Sequence, residues 1–197
     1  MTTIAVVLAS TRTGRVGEGV ARWVLERASA RDDASFEFVD LAEVNLPQID
    51  EPLPPALGRY THPWTQAWAQ TVAKYDGYLF VTPEYNRGAP GVLKNALDRV
   101  YAEWNNKAAA FVSYGHDGGV RAVEQLRQVV GALQIADVTT AVALPLRTDF
   151  VDYHDFTPAS YQEAALDQTL DQLVAWTAAL ASLRHARARH LMTAATA

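Results

Sequence analysis

The sequence predicts a doubly wound α/β domain, with five parallel strands in the order 2-1-3-4-5 and helices on both faces. Three observations carry this expectation. Short runs of apolar, β-favouring residues recur along the chain with little polar alternation, as strands buried on both faces require. Each run is followed by a stretch whose apolar residues fall at helical spacing, and such alternation means a parallel sheet. The chain has 197 residues, the size of one such domain. In this strand order the switch point lies between strands one and three, and ligands bind outside the carboxyl ends of the strands there.

The central stretch is DGYLFVTPEYNRGAPGVLKNALDRVYAEW, from Asp76 to Trp104. Asp76-Gly77 is a turn pair, and Tyr78 to Thr82 reads as a strand. Pro83 ends it, because proline has no N–H for the ladder. A loop, Glu84 to Ala89, leads to Pro90, which suits the first turn of a helix. Val92, Leu93, Ala96, Leu97, Val100, Tyr101 and Trp104 then predict one helix reaching Trp104.

Near the N-terminus, Ile4 to Ala9 is a buried-type strand that runs into Ser10-Thr11-Arg12-Thr13-Gly14-Arg15, with helical spacing from Val16. Free N–H groups and the helix dipole at such a junction favour an anion. Ser10 and Thr11 can donate to phosphate oxygens, and an arginine can grip them in bidentate fashion. The alternative is a solvated loop whose hydroxyls cap the helix. Gly14, Gly17 and Gly19 are spaced G-x-x-G-x-G, so neither the dinucleotide fingerprint nor the Walker pattern is present. A single phosphate therefore fits better than a pyrophosphate.

The remaining elements follow in order. Phe36 to Asp40 alternates as an edge strand should, with Asp40 as cap for the next turn. Residues 44–60 carry four prolines and form a long irregular connection, the kind that is usually functional or mobile. His62-Pro63-Trp64 opens a helix that runs to Tyr75. Ala108 to Tyr114 is the fourth strand, ending in Gly115-His116-Asp117-Gly118-Gly119, whose glycines permit close approach of the backbone to a ring. A helix with Val120, Val123, Leu126, Val130 and Leu133 follows, then a fifth strand from Val138 to Leu144. Pro145 to Phe156 is expected to be a loop with solvated Asp149, Asp152, His154 and Asp155. A last helix spans about 158–183, so residues 1–183 make one domain and 184–197 a mobile tail.

Composition narrows the function classes. Apolar residues make up 49% and charged residues 20%, the profile of a globular protein. A formal net charge of −5 argues against nucleic-acid binding, which wants a basic surface. The chain has no cysteine, which removes disulfides, thiolate metal sites and cysteine nucleophiles. No apolar run approaches the ~20 residues of a membrane helix, and the N-terminus lacks the basic region and cleavage site of a signal peptide. A cytoplasmic location is the expectation. The five histidines show no metal spacing and there is no G-x-S-x-G elbow, so hydrolase chemistry has no foothold.

The run Pro83 to Asp98, PEYN-x-G-A-PGVLKNALD, closely resembles the signature of the NAD(P)H-dependent FMN reductase family of flavodoxin-like proteins. The first loop is similar to the family's G-S-x-R-x-G-R, with Ala9 where glycine is usual. The Leu-Pro and Glu-Pro stretch and the GGVRAVEQLRQV helix agree as well. The resemblance implies a flavodoxin-like fold that binds FMN, with NADPH or NADH as co-substrate and a flavin, quinone or azo compound as small-molecule acceptor. It places Ser10, Thr11, Arg12 and Arg15 on the FMN phosphate. It puts Pro83, Glu84, Tyr85 and Asn86 around the ring, with the backbone N–H groups of the last three on its pyrimidine edge. Ser113, Tyr114 and Gly115 belong to the second flavin loop. No acid–base side chain is implied, since the cofactor carries the reaction. The resemblance also implies a homodimer, or a dimer of dimers, paired through the helix after Pro90, with Tyr101 or Trp104 near the partner's flavin. Two alternatives stay open: a flavodoxin-type electron carrier, disfavoured by the Arg12/Arg15 pair and modest charge, and a partner-binding module governed by flavin redox state.

Overall fold

A computed structural model describes residues 1–186. A five-stranded parallel sheet is built from β1 (Thr2–Leu8), β2 (Ala34–Asp40), β3 (Gly77–Pro83), β4 (Lys107–Gly115) and β5 (Ile135–Pro145), in the order β2-β1-β3-β4-β5. The helices are α1 (Gly17–Ser29), α2 (Leu41–Val44), α3 (Pro63–Ala73), α4 (Gly91–Asp98), α5 (Val120–Ala132), α6 (Leu146–Asp149) and α7 (Tyr161–Ala179). Among the described residues, no helix is long and apolar enough to cross a membrane.

Period-two alternation explains the two-sided burial. Along β1, Ile4, Val6 and Leu8 join a core layer with Val20 and Val24 of α1 and Leu166 and Leu170 of α7. Ala5 and Val7 join the opposite layer with Trp68 of α3, Leu93 and Leu97 of α4, and Leu126 of α5. Every residue of β3 and of β4 is buried. The outer strand β2 keeps exposed residues at its centre, as its alternating sequence requires.

The helix expected to reach Trp104 stops at Asp98. Arg99 follows it, fully buried, and its guanidinium donates to Thr65 Oγ1 at 3.0 Å and to the Pro47 carbonyl. Burial lowers the Arg99 pKa. Asn95 adds two bonds to the same segment, donating to Pro47 O at 2.8 Å and accepting from the Ile49 N–H at 2.9 Å. The end of α4 thus clamps the proline-rich connection. Most of the apolar stripe assigned to a partner is core instead: Leu93, Ala96, Leu97, Val100 and Trp104 are buried within this chain, while Val92 and Tyr101 stay partly exposed. Trp104 packs edge-on against Tyr78 at 4.7 Å and donates its indole N–H to Leu97 O at 3.0 Å. It cannot reach a partner's flavin.

Two more expectations are corrected after β5. The segment 145–156 is not a plain loop. It holds α6 and a small hairpin of β6 (Phe150–Val151) and β7 (Asp155–Phe156). Asp149 is fully buried rather than solvated, and accepts from Ala159 N–H at 2.8 Å, Thr148 Oγ1 at 2.9 Å and Gln162 Nε2 at 3.3 Å. A buried carboxylate must be hydrogen-bonded, and three donors meet that need here. Residue 184 is likewise no free tail. Arg184 pairs with Asp76 at 3.1 Å and donates to the carbonyls of Asn106 and Thr177. Residues 181–186 are helical, and the rest of the expected tail lies outside the described residues.

At the amino end of the sheet, Lys107 is buried with its ammonium bonded to Val72 O at 2.7 Å and to the Tyr78 hydroxyl at 3.1 Å. Burial pushes its pKa down from 10.5 to about 7, opposed by the nearby charge of Asp76. The folded-state value lies below the unfolded one. Between about pH 7 and 10.5 the unfolded chain therefore binds a proton that the folded chain lacks, and stability rises with pH across that window. We expect the melting temperature of the wild type, relative to Lys107→Met, to climb from pH 7 to pH 10. Parallel profiles for the two proteins would contradict this.

Candidate functional site

The loops after β1, β3 and β4 meet at the carboxyl edge of the sheet around a cleft of about 200 Å³. Ser10, Arg12, Arg15, Pro83, Glu84, Tyr85, Tyr114 and Gly115, all expected at the site, line it. Thr11, Asn86 and Ser113 do not. Val16, His116, Leu146 and Tyr153 line it without having been expected. His116 sits in the glycine loop and was within reach of the sequence reading. Leu146 and Tyr153 come from α6 and the β6–β7 turn, and no local pattern announces where a hairpin will hang. A larger groove of about 630 Å³ runs between α1 and β2, lined in part by Arg22, Glu26 and Glu43, but it lies away from the strand ends of β3 and β4.

The first loop continues the sheet for one residue, Ala9 N–H donating to Val81 O at 2.9 Å. Ser10 is then buried, with its hydroxyl 2.8 Å from that of Tyr85, which joins the first loop to the second. The two arginines have different roles. Arg15 donates to Asp40 Oδ1 at 2.7 Å, to Asp40 Oδ2 and to the Ser10 carbonyl, and Asp40 raises its pKa. Asp40 also caps α2 by accepting from Ala42 N–H at 2.9 Å, as expected. Arg15 therefore pins the loop to the end of β2 through a charge-assisted bidentate pair. The Arg12 guanidinium is exposed and has no hydrogen bond or ion pair among the described residues. Nor do the loop hydroxyls cap α1, whose N-cap position, Val16, has no side-chain bond. Arg12 is thus the loop side chain left for a ligand, with the Ser10 hydroxyl beside it already shared with Tyr85.

The second loop closes tightly. Tyr85 and Gly88 exchange backbone bonds of 2.9 Å around Asn86 and Arg87, both left-handed at φ 48° and 67°. Such a two-residue turn normally favours Asn and Gly. The expected presentation of three N–H groups to a ring is corrected here. The Glu84 N–H is bonded to Tyr114 O at 3.0 Å and the Tyr85 N–H to Gly88 O. Only the Asn86 N–H lacks such a bond among the described residues. The Glu84 carboxylate accepts from the Arg121 N–H and guanidinium, each at 3.0 Å, and so ties the second loop to the start of α5.

The third loop turns at Gly118 and Gly119, with φ of 82° and 77°, where a Cβ on Gly119 would collide with Ser113 and the Tyr114 backbone. Ser113 shapes this turn from behind, donating to Gly118 O at 2.7 Å. Tyr114, the last large side chain of β4, is 5% exposed. Its hydroxyl is buried against Gly17 and near Ser10, yet meets no hydrogen-bond partner at proper geometry. Burial pushes its pKa well above the usual tyrosine value. A buried hydroxyl without a partner costs about 1–3 kcal/mol, and such a group in a cleft suits a ligand with a hydrogen-bonding atom there. One exposed, unpaired cation, two buried hydroxyls and glycine-formed approaches suit a phosphorylated ligand with a flat ring.

A family model described as NADPH-dependent FMN reductase matches residues 2–149 of the chain. An NAD(P)H-dependent FMN reductase of Schizosaccharomyces pombe is 42% identical over 148 residues, covering 74% of each chain. A 2-hydroxy-1,4-benzoquinone reductase of a Burkholderia species is 37% identical over 141 residues, covering 67% of this chain and 72% of that one. The solved structure of FerB, a flavoenzyme NAD(P)H:(acceptor) oxidoreductase of Paracoccus denitrificans, superposes with a TM-score of 0.68 over 90% of this chain and 97% of its own. At 23% identity that likeness speaks for the fold alone. On the length of the match and the identity of these relatives, the chain belongs to the NADPH-dependent FMN reductase family.

Proposed function

We propose that this chain is an FMN-dependent NAD(P)H oxidoreductase whose cofactor sits in the cleft at the ends of β1, β3 and β4. The observation that supports this most is the cleft's own chemistry: an unpaired Arg12 and a buried, unpartnered Tyr114 hydroxyl share one small space. A mononucleotide fits that donor set, and a second phosphate would find no second free arginine among the residues lining the cleft, since Arg15 is held by Asp40. The cleft's 200 Å³ is below the ~300 Å³ lower end of enclosed ligand pockets. A bound FMN would accordingly be gripped at one end and open to solvent along the rest, where a nicotinamide or an acceptor can approach.

Bound FMN supplies reversible two-electron exchange, drawing on NAD(P)H and serving a flavin-, quinone- or azo-type acceptor. The protein's residues bind and orient. Ser10, Arg12 and Tyr114 would hold the phosphorylated end, Arg15 and Asp40 would keep Ser10 in place, and Glu84 with Arg121 would hold the second loop against the third. Among the described residues, no group of three histidines, aspartates or glutamates is disposed to hold a metal ion.

The assembly we infer is a homodimer. Its support is the partly exposed Val92 and Tyr101 of the α4 stripe together with four large apolar side chains left exposed in the neighbouring connection and at the start of α3, Ile49, Leu53, Leu57 and Trp64. Exposed apolar groups of this kind mark contact surfaces when they gather on one face. Sedimentation of the wild type should give a dimer, and Leu53→Glu with Leu57→Glu should shift it toward monomer. A wild type that sediments as a monomer would refute the inference.

For the cofactor, purified protein should be yellow or become so with FMN. Arg12→Ala should weaken FMN binding by about 1.5–3 kcal/mol, the usual worth of a hydrogen bond to a charged group. Arg22→Ala, on the exposed side of α1, should leave binding unchanged. Equal losses in the two variants would show that the first loop is not the phosphate site.

A further inference from the structure

The family match ends at Asp149, and the β6–β7 hairpin begins at the next residue. Nothing in the matched stretch accounts for it, yet its turn brings Tyr153 to the wall of the cleft that the first loop also lines. Three features show that the hairpin is built rather than incidental. Its foot rests on Asp149, whose carboxylate is fully buried and held by three donors. Its two strands carry Phe150 and Phe156, whose rings lie 5.2 Å apart. Phe150 is 6.3 Å from the Tyr114 ring, and Phe156 is 5.5 Å from Trp23 of α1. The base of the hairpin is therefore seated on the same aromatic group that ends at the cleft's buried hydroxyl.

The tip contrasts with this base. Asp152 and Tyr153 are both left-handed, at φ 51° and 58°. A β-hairpin turn demands that geometry, and it is costly for residues other than Gly, Asn or Asp. Tyr153 adopts it and remains 59% exposed, with no hydrogen bond from its hydroxyl among the described residues. The turn explains the backbone state, but not why a large aromatic occupies it, since the Tyr153 ring stays half in water at the rim of the cleft. Tyr153 lines the same cleft of about 200 Å³ as Ser10, Arg12 and Tyr114.

We propose that Tyr153 is a ligand-retaining wall: its ring covers the phosphorylated end of the bound mononucleotide, and the anchored hairpin sets how fast that ligand leaves. This rests on the FMN reading given above. An aromatic ring closing over a ligand removes apolar surface from water and keeps water from competing for the charge-assisted bonds beneath it. The contribution is made by the ring, not the hydroxyl, so phenylalanine should replace tyrosine.

The test is the rate at which FMN leaves the protein, followed by the recovery of free-flavin fluorescence after a large dilution into buffer without flavin. Tyr153→Ala should release FMN roughly tenfold faster, a change that corresponds to a modest contact. Tyr153→Phe should stay close to the wild type, and so should Tyr161→Ala, an exposed tyrosine outside the cleft. FMN-free Tyr153→Ala should melt with the wild type or above it, which separates lost coverage from lost folding. Release from Tyr153→Ala at the wild-type rate would overturn the proposal, and so would release from Tyr153→Phe as fast as from the alanine variant. If the wild type itself fails to bind FMN, it is the cofactor reading that fails.

Discussion

The complete burial of β3 and β4 is the constraint on which the rest of the molecule depends. Strands covered on both faces can carry no polar side chain along their length without a partner, so chemistry is driven to their ends. At the amino end, Lys107 and Tyr78 solve the problem together by bonding to Val72 O. At the carboxyl end, Ser113 solves it through Gly118, while Tyr114 is left with a buried hydroxyl that the fold does not satisfy. The two ends of one strand thus differ in kind: one is closed by the protein's own groups, and the other keeps a buried hydroxyl that no protein group satisfies.

The cleft follows from this difference. The order β2-β1-β3-β4-β5 brings the loops of β1 and β3 side by side, and the β4 loop next to them. Each is fixed by contacts to another element, not by its own sequence alone. Arg15 ties the first to β2, Glu84 and Arg121 tie the second to α5, and Phe150 and Phe156 brace the outer wall. Among the described residues, the Arg12 guanidinium and the Tyr114 and Tyr153 hydroxyls of the cleft are left without a hydrogen-bond partner. A site so arranged has little to reorganise when a ligand arrives, which is how affinity is gained without a large contact area.

Much of this was legible in the sequence. Strand order, helix placement and the convergence of loops followed from apolar runs, glycines and prolines, because local propensity and burial agree at those positions. The role of Asp40 as a cap was legible for the same reason. What could not be read were the partners chosen across distance. Arg12 and Arg15 look alike in sequence, and only the position of Asp40, 25 residues on, makes one structural and leaves the other free. The apolar column of α4 was legible as buried, but not as buried within its own chain, since Trp104 finds Tyr78 only after the helix has ended at Asp98. Asp149 looked like a solvated acid because its three donors come from Thr148, Ala159 and Gln162, in a connection with no repeating pattern.

The central claim is that the carboxyl-edge cleft is built for a phosphorylated flavin and is less than optimal for the fold alone. The Tyr114 hydroxyl bears on it most directly, because the FMN-free protein should be better off without that group. For Tyr114→Phe, the account predicts opposite effects: the FMN-free protein melts at or above the wild-type temperature, by up to about 1–3 kcal/mol of stability, while FMN binds more weakly. A variant that is less stable without FMN and binds FMN as tightly as the wild type would contradict the account, and would make the hydroxyl a part of the fold.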